Sequence, residues 1–324
     1  MPKLPEIDST IKRIYDHYQQ QGDSQTPRPY LGASILGHEC ERALWYIFRW
    51  AYSNKVTCYK VDDHSGRIYR LFKTGHREEA RIIEDLRNIG LTVHDVDPNH
   101  GRQFRVEQFG GHFAGHMDGV ILGLVESPKT WHVFEAKTYS VKRFKELTEK
   151  GVKESAPTYY AQCQIYMGLT GLTRTFFLAV EKDTEQFYME RLKFDKQAFE
   201  ALLEKARRVI FADHAPEKIS KDPSFYKCKM CDARPICHGS RDFPKMNCRT
   251  CMHVTPEQNG SWTCSLLDKT LSYDDQLKGC INHLTNPTMV NSAVAQADNN
   301  AIYYQSGVVN YRGGAWSAPF KGTE

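Results

Sequence analysis

Residues 111–140 read GHFAGHMDGVILGLVESPKTWHVFEAKTYS. Asp118 closes one extended segment, and Glu135 and Lys137 lie two apart in the next. Side chains at i and i+2 of a strand share a face, so Glu135 and Lys137 point the same way. A hairpin between the two segments would bring Asp118 beside them. Two close carboxylates suit a hard divalent cation such as Mg²⁺. A lysine next to them can orient or help deprotonate a metal-bound water and offset charge on a phosphate, which suits metal-assisted hydrolysis of a phosphodiester. The other reading is an ion pair on a surface strand, common and worth little. Val133 and Phe134 ahead of the pair speak instead for a central strand.

Two flanking segments add candidates. RLFKTGHREEARII (70–83) places His76 and Glu79 three apart, on one helix face. Glu79 could be a third metal ligand, with His76 as its substitute; a solvated acidic face is the alternative. PTYYAQCQIYM (157–167) places Gln162 and Tyr166 four apart on a helix. Such a pair can grip a phosphate or sugar. Tyr166 alone reads equally well as a buried residue packed on a sheet.

Around these motifs the period of the pattern changes twice. Residues 6–20 read as an amphipathic helix capped by Asp8 or Ser9. A second helix follows a Ser34 cap, with Cys40 inside it, and a third spans 64–89 with Gly90 as its stop. LTVHDV, QFRVEQF, HFAGHMDGVILGL and WHVFEAKT then read as four strands. Helices at about 141–150 and 156–169, a hairpin from TRTFFLAVEK and EQFYMERLKF, and a helix over 195–213 complete an α/β core with a mixed sheet. From Asn286 the chain is polar and Gly-rich and reads as a loosely ordered tail.

Composition sets the bounds. The chain has 324 residues, 40% of them hydrophobic and 25% charged, enough for a core and unlike a disordered chain. It has no run of 18 apolar residues, so no membrane partner is expected. The N-terminal segment lacks an apolar signal region, and a cytoplasmic location follows as the expectation (the host cytoplasm for a phage protein). With 43 basic and 39 acidic residues the net charge is only +4, so any nucleic-acid groove must be local.

Ten cysteines in such a chain point to metal rather than disulfides. Cys228, Cys231 and Cys237 form C-x2-C-x5-C and want a fourth ligand. Cys248, Cys251, Cys264 and Cys280 form C-x2-C-x12-C-x15-C. Zinc and iron–sulfur clusters both accept four thiolates. The alternative is buried reduced cysteines, which is the favoured reading for Cys58 and Cys163. The second series, with turns at Pro256 and Gly260, reads as a small zinc ribbon, since so short a segment needs Zn²⁺ to fold. His283 or His253 could replace one thiolate. Lys245, Arg249 and Lys269 could extend a DNA-binding surface there.

The order G-x3-E (Gly75 to Glu79), G-H-M-D (Gly115 to Asp118), E-A-K (Glu135 to Lys137) and Q-x3-Y (Gln162 to Tyr166) resembles the PD-(D/E)XK nucleases of the RecB-like branch. Met117 stands where the name-giving Pro would be, a substitution frequent in that branch. Cys40 with C-x2-C-x5-C resembles its iron–sulfur members, the CRISPR-associated adaptation exonucleases and the AddB-type nucleases. The resemblance covers about residues 30–240. It implies a restriction-endonuclease-like core. It implies Mg²⁺ or Mn²⁺ on Glu79, Asp118, Glu135 and the Ala136 carbonyl, with Lys137 positioning water and Gln162 and Tyr166 on DNA. It also implies a 4Fe–4S cluster on Cys40, Cys228, Cys231 and Cys237. Such a cluster would staple a long loop, worth about 4–5 kcal/mol in the simplest entropy model.

The expected organisation is therefore a nuclease domain over 1–240 with its cluster, a four-cysteine zinc-ribbon-like module over 241–285, and a tail over 286–324. The expected activity is a metal-dependent deoxyribonuclease, an exonuclease serving recombination, repair or replication. A non-catalytic nucleic-acid-binding module and a restriction-type endonuclease are the competing readings. The sequence contains no GxxxxGK[ST] motor motif, so a helicase or recombination protein that exposes DNA ends is the expected partner.

Overall fold

The computed structural model describes residues 9–52, 65–239 and 242–317. Cys58 and Asp8 lie outside them. In chain order the elements are α1 (Thr10–Asp23), β1 (Leu31–Gly32), α2 (Glu41–Phe48), α3 (Ser65–Asn88), β2 (Thr92–His94), β3 (Arg105–Gln108), β4 (Phe113–His116), β5 (Gly119–Leu122) and β6 (His132–Tyr139). Then come α4 (Val141–Ser155), α5 (Pro157–Thr170), β7 (Arg174–Glu181), β8 (Phe187–Lys193), α6 (Lys196–Phe211), α7 (Tyr226–Lys229) and α8 (Arg234–His238). The C-terminal part adds β9 (Val254–Pro256), β10 (Trp262–Cys264), β11 (Lys269–Leu271), α9 (Tyr273–Lys278), β12 (Val294–Ala297), β13 (Ala301–Tyr304), β14 (Val309–Tyr311) and β15 (Trp316–Ser317). No helix among the described residues is long and apolar enough to cross a membrane.

The chain forms two compact units that alternate in sequence. The first comprises Met1–Pro27, Lys55–Arg105 and His116–Asp195; the second comprises Arg28–Asn54, Val106–Gly115 and Lys196–Glu324.

The first unit is built on a five-stranded mixed sheet, ordered β2-β5-β6-β7-β8. Only β6 and β7 pair in parallel, and α4 and α5 make the crossover between them. β6 lies centrally because it is apolar on both sides of the pleat, with Val133, Phe134 and Ala136 buried. One face packs Phe134, Ala136, Phe176, Leu178 and Val180 against Ile82, Ile83 and Leu86 of α3. Truncating Phe134 there would cost about 3–5 kcal/mol. α1 begins at Ser9, whose hydroxyl accepts from the Lys12 amide. α3 stops where expected, at Gly90 with φ +89.

Several expectations are corrected. HFAGHMDGVILGL is not one strand. β4 joins β1 and β3 in a three-stranded sheet, while β5 enters the five-stranded sheet. At the start of β5 Gly119 has no room for a side chain, since a Cβ would stand 2.5 Å from the His94 carbonyl oxygen. Cys40 is not inside a helix. It is the extended N-cap of α2, and its amide donates to His38 Nδ1 at 3.1 Å. The loosely ordered tail is also corrected, because β12-β13-β14-β15 form an antiparallel sheet. Its alternating Ile302 and Tyr304 bury with Leu284 and Val308, so its glycines serve hairpin turns. In the second unit β9, β10 and β11 form the small sheet that carries the second cysteine series.

Candidate active site

The acidic site forms where β6 lies beside the end of β5. Antiparallel pairing sets Gly119 opposite Phe134, which brings Asp118 to the Glu135–Lys137 stretch, as a hairpin between the two segments requires. The Ala136 amide donates to Asp118 Oδ2 at 2.9 Å. Lys137 Nζ lies 3.5 Å from the same oxygen and donates to the Ala136 carbonyl at 3.0 Å. Phe134 and Ala136 face the α3 core, so the alternating Glu135 and Lys137 face α5. There the Lys137 ammonium sits 5.3 Å from the Tyr159 ring centre. Sequence reasoning does not single out Tyr159. Its one signal is helical spacing, three residues before Gln162 and seven before Tyr166.

Glu135 is fully buried, and Lys137 forms an ion pair with its Oε1. Neither Glu135 oxygen has a hydrogen-bond partner besides that ammonium. Burial first, and the Asp118 charge second, push the Glu135 carboxyl up to about 8, against the pull of Lys137. Burial opposes charge on Lys137, but Glu135 and Asp118 outweigh it and hold its pKa well above the lysine range. The ammonium is therefore the fixed charge of the pair.

The structure separates the two α3 candidates. The His76 side chain is 80% exposed and Glu79 only 27%. Glu79 is pushed up by burial and then by Asp118, and it also acts on Glu135, so it is the helix residue electrostatically coupled to the two acids. His76 lies outside it, with Nδ1 3.8 Å from Glu79 Oε2.

Gln162 and Tyr166 are both buried, the alternative weighed for Tyr166. Gln162 donates to the Tyr166 hydroxyl at 3.0 Å, and that hydroxyl donates to the His116 carbonyl at 2.6 Å. Their hydrogen bonds brace the segment leading into Asp118. Cys163, between them, is fully buried, and burial pushes its thiol well up, as expected of a structural cysteine.

In the second unit Cys40, Cys228, Cys231 and Cys237 line one pocket with His38, Tyr46 and Lys218. Burial is the largest influence raising Cys228, Cys231 and Cys237, and the Cys40 charge adds to each. Residues far apart in the sequence are thus brought to one place. Cys248, Cys251, Cys264 and Cys280 gather separately in the same unit. No cluster or zinc module is shown: among the described residues no three His, Cys, Asp or Glu side chains are arranged to hold a metal ion. Arg249, expected on a DNA-binding surface, is 1% exposed and so is not part of one. Lys245 is exposed, and Lys269, also exposed, pairs with Asp275 at 2.9 Å.

No family model matches the chain, and no curated protein matches it. Solved structures overlap it loosely. An alkaline exonuclease from Laribacter hongkongensis shares 15% identity, covering 60% of this chain and 90% of its own, with a TM-score of 0.37. The structure of SSO0001 shares 13%, covering 70% and 95%, at 0.42. The same exonuclease in complex with dAMP shares 14%, covering 61% and 90%, at 0.36.

Proposed function

We propose that the chain is a metal-dependent DNA nuclease, acting as an exonuclease on ends exposed by a helicase or recombination protein. The observation that carries this reading is the Lys137 ammonium held between the buried Glu135 carboxyl and Asp118, 3.5 Å from the latter, with Glu79 electrostatically coupled to both acids. Three carboxylates against one ammonium leave an uncompensated negative charge in a buried place, which is costly without a cation. That charge balance is what supports a divalent ion here.

Glu79, Asp118, Glu135 and the Ala136 carbonyl would hold Mg²⁺ or Mn²⁺. The ion would supply Lewis acidity and an activated water. Lys137 would orient that water and offset charge at the scissile phosphate. Tyr159 would limit where the ammonium can swing, and Tyr166 with Gln162 would keep Asp118 in register.

The four pocket cysteines support a 4Fe–4S cluster with a structural role. The raised thiols of Cys228, Cys231 and Cys237 favour the neutral form, and a cation among them would reverse that preference.

The test is degradation of end-labelled DNA with Mg²⁺ or Mn²⁺, beside a closed-circular substrate. Linear DNA should be consumed and the closed circle left intact. Glu135→Ala and Lys137→Ala should each abolish cleavage while DNA binding survives. Full turnover in both variants would remove the active-site assignment; nicking of the closed circle would make the enzyme an endonuclease.

A further inference from the structure

Two glycines sit inside α3, and the fold accounts for only one of them. At Gly66 a Cβ would stand 1.8 Å from the Tyr15 carbonyl oxygen, so the approach of α1 excludes any side chain there. At Gly75 a Cβ would meet, among the described residues, only the Thr138 hydroxyl at 3.9 Å, an ordinary contact. Its backbone is not in the left-handed region either. A glycine in a helix interior is less stable than an alanine, because it loses more backbone freedom on folding. Packing and backbone geometry would both accept alanine at 75, and the fold gains nothing from the glycine.

The place of Gly75 says what uses the space. It lies four residues before Glu79 and seven before Ile82, so the three share one helical stripe. Farther along, that stripe is core: Ile82, Ile83 and Leu86 pack with Phe134 and Ala136 of β6. Thr138 follows Ala136 on the same face of the pleat, and it is the residue that meets Gly75. Thr138 is also the neighbour of Lys137 in the chain. Toward the start of α3 the stripe continues with Leu71 and Phe72, which are 43% and 54% exposed. The Phe72 ring stands edge to face with Tyr69, centres 6.3 Å apart. Phe72 precedes Glu79 by two turns, about 10 Å along the axis. An exposed aromatic ring offers a stacking surface that every nucleobase can use.

We propose that Gly75 and Phe72 form the approach along which a DNA strand reaches the acidic site. Its sugar–phosphate backbone passes over Gly75 against Thr138, and a base stacks on Phe72. This inference rests on the nuclease reading above and adds to it the residues that guide the substrate.

The full chain is compared with Gly75→Ala, Gly75→Leu and Phe72→Ala. Trp131→Ala is the control, a partly exposed aromatic just ahead of the opposite end of β6. Each is melted, then titrated into a fluorescein-labelled single-stranded oligonucleotide with Ca²⁺ in place of the catalytic ion, then assayed for cleavage with Mn²⁺. Gly75→Ala should melt about 2–4 °C higher than wild type. Gly75→Leu should melt no lower than wild type yet bind at least about ten-fold more weakly, because its side chain fills the passage. Phe72→Ala should bind at least about five-fold more weakly, the scale of one lost base stack. Trp131→Ala should stay within about two-fold. A lower melt for Gly75→Ala would mean that the fold needs the glycine, and would overturn the proposal. Where wild type binds and cleaves and either Gly75→Leu or Phe72→Ala matches it, the approach is overturned and the nuclease reading stands. A wild type that neither binds nor cleaves DNA fails the nuclease reading itself, and the approach falls with it.

Discussion

The Tyr166 hydroxyl donates to the His116 carbonyl at 2.6 Å, two residues before Asp118. A helix on one face of the sheet thereby fixes the backbone that delivers a candidate metal ligand. Tyr166→Phe keeps the ring and removes one hydrogen bond, worth about 1 kcal/mol net. Turnover should fall about five-fold if that loss appears in the barrier. The Mn²⁺ concentration for half-maximal rate should rise while DNA affinity holds. An unchanged metal titration would deny Tyr166 this positioning role.

Glu79 and His76 are three apart, but only Glu79 turns inward. Glu79→Gln should reduce cleavage by at least about two orders of magnitude, the scale of losing a transition-state electrostatic partner. His76→Ala should stay within about two-fold, as expected for an exposed side chain. The reverse ranking in a steady-state assay would transfer the ligand role to His76.

Cys237 lines the pocket with Cys40, Cys228 and Cys231. Cys237→Ala should give colourless, poorly soluble protein, read by visible absorption and iron count. Normal stability with unchanged metal content would refute the cluster assignment.

His112 is 2% exposed, within 5.6 Å ring-to-ring of both Phe48 and Trp262. Burial, then the Arg249 charge, lower its pKa from 6.5 to about 4. The unfolded chain therefore takes up a proton near pH 6.5 that the folded chain refuses until near pH 4. Stability is intact above about 6.5, falls between about 6.5 and 4, and loses at most about 3 kcal/mol from this group. Thermal melts across that window should show the slope, and His112→Gln should flatten it. An equally steep slope in the variant would assign the effect to other groups.

Gly110 and Gly260 press backbone against backbone. A Cβ on Gly260 (φ +90) would lie 1.8 Å from the Gly110 carbonyl oxygen. Gly260→Ala should cost about 2 kcal/mol or more from overpacking and left-handed strain. Calorimetry should find the melting temperature lower by roughly 4–8 °C. A wild-type melt would mean the two turns can separate freely.

Local pattern determined much of this protein. Spacing alone predicts α3, the hairpin β7–β8, and a strand that sets Glu135 and Lys137 on one face, because periods of 3.6 and 2 are properties of the backbone. It also gathers the cysteines into two groups. Tertiary structure decided what such periods leave open. His76 and Glu79 share a helical stripe, and only packing against the sheet shows which one faces the acids. Arg249 reads as a surface cation until Trp50 and the carbonyls of Phe48 and Pro29 enclose it. Tyr166 spends its hydroxyl on a carbonyl 50 residues away, and the polar tail folds because Ile302 and Tyr304 find Leu284 and Val308. Burial is set by residues distant in sequence, so a side chain's solvent and partners follow from the fold rather than from its neighbours in the chain.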